Sequence, residues 1–165
     1  MESRELEIGL MSEQRDHADV KIHPPVLVSI LVLAALFLDK LLPLPFIFPK
    51  ILEWVGYSLV IVGLGLSISA ASRFMQAHTT LDPHGSVRDI VTSGPYRFSR
   101  NPIYLGFVCL LIGFPLIFRN YWGLILSPLL VVLMNVLVIK HEEAYLEKKF
   151  QDVYSSYKSR VRRWL

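Results

Sequence analysis

Apolar and charged positions are sharply segregated along this chain. Four runs carry no charged side chain: 17 residues from Ile22 to Leu38, 19 from Trp54 to Ser72, 18 from Asn101 to Phe118 and 20 from Asn120 to Ile139. A helix rises about 1.5 Å per residue, so crossing a hydrocarbon core about 30 Å thick takes about 20 mostly apolar residues. The runs therefore predict four transmembrane helices. The first starts near Pro24-Pro25, ends at Asp39-Lys40 and is followed by Pro43, Pro45 and Pro49, which oppose a regular helix. It is expected to be a short or broken span. Only Arg119 separates the last two runs, which predicts a tight helical hairpin. Beyond it, Leu146, Phe150, Val153, Tyr154, Tyr157, Val161 and Trp164 recur mostly at steps of three and four. That is the period of an amphipathic helix, which either lies on the membrane or folds back over the end of the hairpin.

Composition narrows the class further. Hydrophobic residues make up 53% of the 165 and charged residues 19%, against about 25% charged in an ordinary soluble domain. Mean hydropathy is +0.44. A lone cysteine, Cys109, rules out a disulfide scaffold. The expected fold is an all-α integral membrane protein of about four transmembrane helices plus a C-terminal amphipathic cytoplasmic helix. Of the 17 Lys and Arg residues, only Lys40, Lys50 and Arg119 fall on the far side of this arrangement, so the positive-inside rule places both termini in the cytoplasm. The net charge of +3 is then explained by anionic lipid, with no nucleic-acid partner required. Residues 1–21 are acidic and polar rather than a basic n-region before an apolar core, so the first span is expected to act as the insertion signal. This arm is expected to be mobile or loosely helical. The chain thus divides into an arm (1–21), two N-terminal spans (22–72) and a remainder (73–165).

Candidate chemistry gathers at two places. In the second run Gly56, Gly63 and Ser67, with Ala71 beyond, lie near one face and would let another helix approach closely. Cys109 reads as a small packing residue. The 28 residues from Arg73 to Arg100 exceed the usual loop of at most about 12–15 residues, a sign of function. Asn101-Pro102 suits an N-cap followed by the first helical position. Arg97 and Arg100 flank that helix start and suit an anionic group; they serve equally as interfacial anchors beside Tyr96 and Tyr104. The hairpin returns Lys140-His141-Glu142-Glu143 to the same level. Acids at a membrane boundary cost energy unless hydrated or paired, so Glu142 belongs either to a shared site or to a solvated helical turn. No metal site is expected: His78 and His84 are six apart, and no Cys/His ligand spacing, P-loop or G-x-G-x-x-G is present.

The segment Val91-Thr92-Ser93-Gly94-Pro95-Tyr96-Arg97-Phe98-Ser99-Arg100-Asn101-Pro102-Ile103-Tyr104-Leu105-Gly106 is followed by Glu142-Glu143, Leu146, Phe150-Gln151, Tyr154, Tyr157 and Arg163-Trp164. Together they closely resemble the isoprenylcysteine carboxyl methyltransferase family, whose wider group includes phospholipid N-methyltransferases. Thr79-Thr80 and Pro83 resemble the bacterial branch, which implies a bacterial inner membrane. The resemblance makes residues 73–165 a methyltransferase core. It implies S-adenosylmethionine as donor and S-adenosylhomocysteine as product, with the donor held between the hairpin and the tail. The implied acceptor is lipophilic, an isoprenylcysteine-like carboxylate or a lipid head group. By position, the donor would meet Ile90, Val91, Tyr96, Asn101, Pro102, Ile103, Tyr104, Glu142 and Glu143, with Arg100 and Glu142 carrying catalysis. Asn101 stands where the family has His, and it hydrogen-bonds without titrating. Gln151 replaces a glycine, and Val138 stands where the animal carboxyl methyltransferases have a substrate-contacting arginine. Two rivals are an NADPH-dependent reductase related to sterol reductases, which share a similar C-terminal motif, and a non-enzymatic membrane scaffold.

Overall fold

The computed structural model describes residues 17–45, 49–77 and 87–165. Most of the arm lies outside them, as do His78, Thr79, Thr80, Pro83 and His84. All regular structure among the described residues is helical: α1 (Pro24–Leu41), α2 (Ile51–Gln76), a 3-10 turn (Gly94–Arg97), α3 (Pro102–Ile117), α4 (Trp122–Met134), a π-helical stretch (Asn135–Ile139) and α5 (Lys140–Arg160). Among these residues three helices are long and apolar enough to cross a membrane: α1, α2 and the Trp122–Arg160 helical run. The third run folds as a shorter apolar helix of 16 residues, about 24 Å long. α1 runs unbroken through Asp39-Lys40 to Leu41, past the predicted end of that span.

α2 and α3 pack antiparallel through two glycine pairs set seven residues apart. A Cβ added at Gly63 would sit 2.8 Å from the Gly106 carbonyl oxygen, and one at Gly106 2.6 Å from that of Gly63. Gly56 and Gly113 face each other the same way, at 2.8 and 2.9 Å. Only glycine permits such backbone contact, and close packing of this kind drives helix association in lipid. The next residue on this α2 face is Ala70, fully buried, rather than Ala71. This antiparallel register sets the last turn of α2 beside the first turn of α3, where the 3-10 turn also packs.

At the opposite end, the α3–α4 turn is held by side chains. Asn120 is buried; its Nδ2 donates to the Ala35 carbonyl at 2.9 Å and its Oδ1 accepts from the Trp122 amide at 2.8 Å. Arg119 Nε donates to Glu53 Oε1 at 2.7 Å, tying the turn to the start of α2. These contacts fix how α3 and α4 diverge toward the other end.

Two features there have no simple hydrophobic-pattern signal. The π-helical stretch shifts the register of that helical run just before Glu142, a distortion common near functional sites. The backbone of Lys21 donates to the Leu137 carbonyl at 3.4 Å, and Ala18 and Val20 are buried in the core with α1 and α4. The end of the arm is therefore packed, not loose. The second feature is Gln151, at φ 42° and ψ −116°, a left-handed conformation suited to glycine. It kinks α5, so the segment after it folds back over the end of the hairpin. Tyr154 and Tyr157 turn inward and Val153 faces out.

Candidate active site

The end of α2, the 3-10 turn, the start of α3, the start of α5 and the folded-back tail enclose a cleft. It holds about 880 Å³ of atom-free space including its open mouth. Ile90, Val91, Tyr96, Arg100, Asn101, Ile103, Tyr104, Glu142 and Glu143 all line it. Pro102, the remaining donor-contact expectation, is fully buried at the start of α3 and does not line the cleft.

Glu142 is the polar centre. The Tyr104 hydroxyl donates to its Oε1 at 2.6 Å. Burial pushes its carboxyl from an ordinary 4.5 up to about 7; the Tyr104 hydrogen bond opposes that shift and the neighbouring Glu143 charge adds to it. The hairpin geometry accounts for this pairing, because α3 carries Tyr104 in its first turn and α5 carries Glu142 in its own.

Glu143 does different work. It is buried, and Arg100 Nη2 donates to its Oε1 at 2.8 Å while Arg163 Nη2 donates to its Oε2 at 2.6 Å. Arg100 Nη1 also donates to the Lys158 carbonyl at 3.1 Å. Its Nε is buried without a hydrogen-bond partner among the described residues. Arg97 is exposed and lies outside the lining residues, so the two arginines do not form the shared clamp that their spacing suggests. Asn101 precedes α3 but makes no side-chain cap; its Nδ2 donates instead to the Arg163 carbonyl at 2.9 Å.

The tail supplies Tyr154 and Tyr157, which the sequence places only in an apolar stripe. Tyr157 donates from its hydroxyl to the Tyr96 carbonyl at 2.8 Å, and Tyr154 and Tyr157 line the cleft. Burial raises the Tyr96, Tyr154 and Tyr157 phenols above their ordinary value, so all three stay neutral near pH 7. Phe74 and Tyr96 pack as a tilted aromatic pair with centroids 5.4 Å apart. Ala18, Asp89 and Tyr145 also reach the lining; Ala18 carried no signal, since it sits in a polar arm. Among the described residues no cluster of His, Cys, Asp and Glu could hold a metal ion.

A half-buried acid held by a tyrosine, beside a buried and doubly paired second acid, can bind a cation or a hydroxyl donor. An apolar wall on the same cleft can hold a planar or lipidic group.

Comparison with known proteins adds the family. A 63-residue alignment at 36% identity covers 38% of this chain and the whole of an uncharacterized protein from Haemophilus influenzae. A second, at 33% identity over 72 residues, covers 44% of this chain and 30% of the protein-S-isoprenylcysteine O-methyltransferase of Schizosaccharomyces pombe. The chain thus spans less than a third of that enzyme's length. No solved structure matches significantly. The model of the phospholipid methyltransferase family matches residues 51–153, well over half of the sequence and nearly all of the cleft, and the chain belongs to that family of membrane methyltransferases.

Proposed function

We propose that this protein transfers a methyl group from S-adenosylmethionine to a lipophilic acceptor at the membrane interface. The acceptor is an isoprenylcysteine-like carboxylate or a lipid head group. The observation that carries this reading is the Glu142–Tyr104 pair at 2.6 Å inside a mainly apolar cleft. The donor would supply a methyl group already activated on a sulfonium that is its own leaving group. The protein has then to align acceptor and donor and exclude water.

The residues present fit that task. A carboxylate offers about four lone-pair sites, and Tyr104 uses one on Glu142, so an ammonium or sugar hydroxyl can take another. Ile90, Val91 and Ile103 offer apolar surface to a purine. Asn101 keeps its amide oxygen for a hydrogen bond while its nitrogen holds the tail. Pro102 acts from behind, by starting α3 under Ile103 and Tyr104. Arg100 presents a guanidinium already half-satisfied by Glu143, with a buried Nε still to be paired; it suits a carboxylate or phosphate. A carboxylate acceptor needs no base. An amine acceptor must lose a proton, and a carboxyl near 7 such as Glu142 is matched to take it. Both termini and the site belong on the cytoplasmic face of a bacterial inner membrane, where the soluble donor and the membrane-borne acceptor meet.

Calorimetric titration of the detergent-solubilised protein with S-adenosylhomocysteine, and separately with NADPH, tests this function. Binding of S-adenosylhomocysteine alone is expected. Binding of NADPH instead would point to a reductase, and binding of neither to a scaffold.

A further inference from the structure

The C-terminal tail does more than close the cleft. After α5 the backbone continues extended from Val161 and is strapped across the start of α3. Arg100 N donates to the Arg162 carbonyl at 2.9 Å, and Ser99 Oγ and Asn101 Nδ2 both donate to the Arg163 carbonyl. Trp164 Nε1 donates to Asn135 Oδ1, at the start of the π-helical stretch, at 3.3 Å. These bonds leave the Arg163 side chain one direction, onto Glu143. Its Nε and Nη2 reach the two different carboxylate oxygens at 3.1 and 2.6 Å, the fork geometry that fixes orientation as well as charge. Arg163 also lies outside the residues matched by the family model.

We propose that Arg163 is a positioning residue: by holding Glu143 in place and offsetting its charge, it sets the protonation of the adjacent Glu142 and so the affinity of the cleft for its donor. Every charged or titratable group around Glu142 bears on this. Tyr104 faces it from α3, and Tyr96 and Arg100 from the segment before α3. Asp89 lines the same cleft, Tyr145 lines it from α5, His141 adjoins Glu142 in the chain, and Tyr154 and Tyr157 approach from the folded-back tail. Glu143 is the one anion beside Glu142 on its own helix, and Arg100 and Arg163 are the cations that offset it. Removing Arg163 leaves Arg100 alone to offset the Glu143 carboxylate. The site loses one positive charge, and Glu142 must then hold its proton to higher pH.

The test is an infrared pH titration of the ligand-free protein, following the protonated-carboxyl band that Glu142→Gln removes. Arg163→Met is expected to raise the midpoint by about one pH unit, the size a single nearby charge produces. Arg163→Lys, which keeps the charge, is expected to return the midpoint most of the way to wild type. Arg163→Gln serves if the methionine variant does not fold, and the same upward shift is expected. A second arm, resting on the proposed function, measures S-adenosylhomocysteine affinity against pH, and the affinity profile is expected to move with the infrared midpoint. An unchanged infrared midpoint in a folded Arg163→Met or Arg163→Gln variant overturns the proposal, as does a lysine variant no nearer to wild type than the methionine one. Failure of the wild type to bind S-adenosylhomocysteine would overturn the assigned donor, while the infrared titration would still decide the role of Arg163.

Discussion

Glu142→Gln should make the ligand-free protein more stable and the liganded protein weaker. Burial favours the protonated form of Glu142 and lifts its carboxyl from 4.5 to about 7. Between those values the unfolded chain releases the proton while the folded chain keeps it, so folding becomes less favourable as pH rises. The stability is fully present below about pH 4.5 and has been lost once pH passes about 7. A shift of this size is worth at most about 3 kcal/mol at about 1.4 kcal/mol per unit. Water in the open cleft screens the charge, so about 1–2 kcal/mol is the expected effect. Glutamine keeps the shape and cannot ionise, so at pH 8 the variant should exceed the wild type by that amount, and at pH 4.5 the two should match. In exchange, losing a charged hydrogen bond to the donor, worth about 1.5–3 kcal/mol, should weaken S-adenosylhomocysteine binding about 10- to 100-fold. Thermal unfolding in detergent at the two pH values reads the first effect and calorimetry the second. A glutamine variant no more stable than wild type at pH 8, with undiminished ligand affinity, would refute both the burial and the role assigned to this carboxyl.

Three further outcomes follow from the fold. Gly106→Val should abolish recovery of folded protein from membranes, because even a Cβ there would lie 2.6 Å from the Gly63 carbonyl and against the Ser67 hydroxyl; size-exclusion profiles in detergent check this. Gln151→Gly should raise stability by about 1 kcal/mol, since it relieves a non-glycine residue at φ 42°; unchanged or lower melting would contradict the kink. Asn120→Leu should cost about 1–3 kcal/mol, the usual penalty for orphaning the buried groups it serves, here the Ala35 carbonyl and the Trp122 amide; thermal unfolding measures it.

The helical membrane architecture was legible because burial in lipid leaves one plain mark, a long run without charge. The glycine face of α2 was legible for a similar reason: small residues at heptad spacing have few other uses in an apolar helix. The meeting of Tyr104 and Glu142 was legible once the hairpin was inferred, because antiparallel helices return their ends to one level. What escaped depends on backbone detail that side-chain periodicity does not encode. Gln151, in place of the glycine that the resemblance implies, marks the kink that takes Val153 out of the apolar stripe and sends Tyr154 and Tyr157 inward. After Asn135 the π-helical stretch keeps apolar residues and gives no signal of its own. Asn101 was expected to cap α3, but the tail carbonyl of Arg163 competes for its amide. Arg97 and Arg100 are three apart in sequence, yet the 3-10 turn leaves one exposed and directs the other to Glu143.

One measurement bears most directly on methyl transfer at this cleft. Membranes containing the wild-type protein, or the Glu142→Gln variant, are incubated with S-adenosylmethionine labelled on its methyl group, and label is counted in the organic extract. Organic-soluble label well above empty membranes with the wild type, and a large loss with the variant, is the expected result. Wild-type membranes that move no label into lipid-soluble material, or a variant that moves as much as wild type, would contradict it.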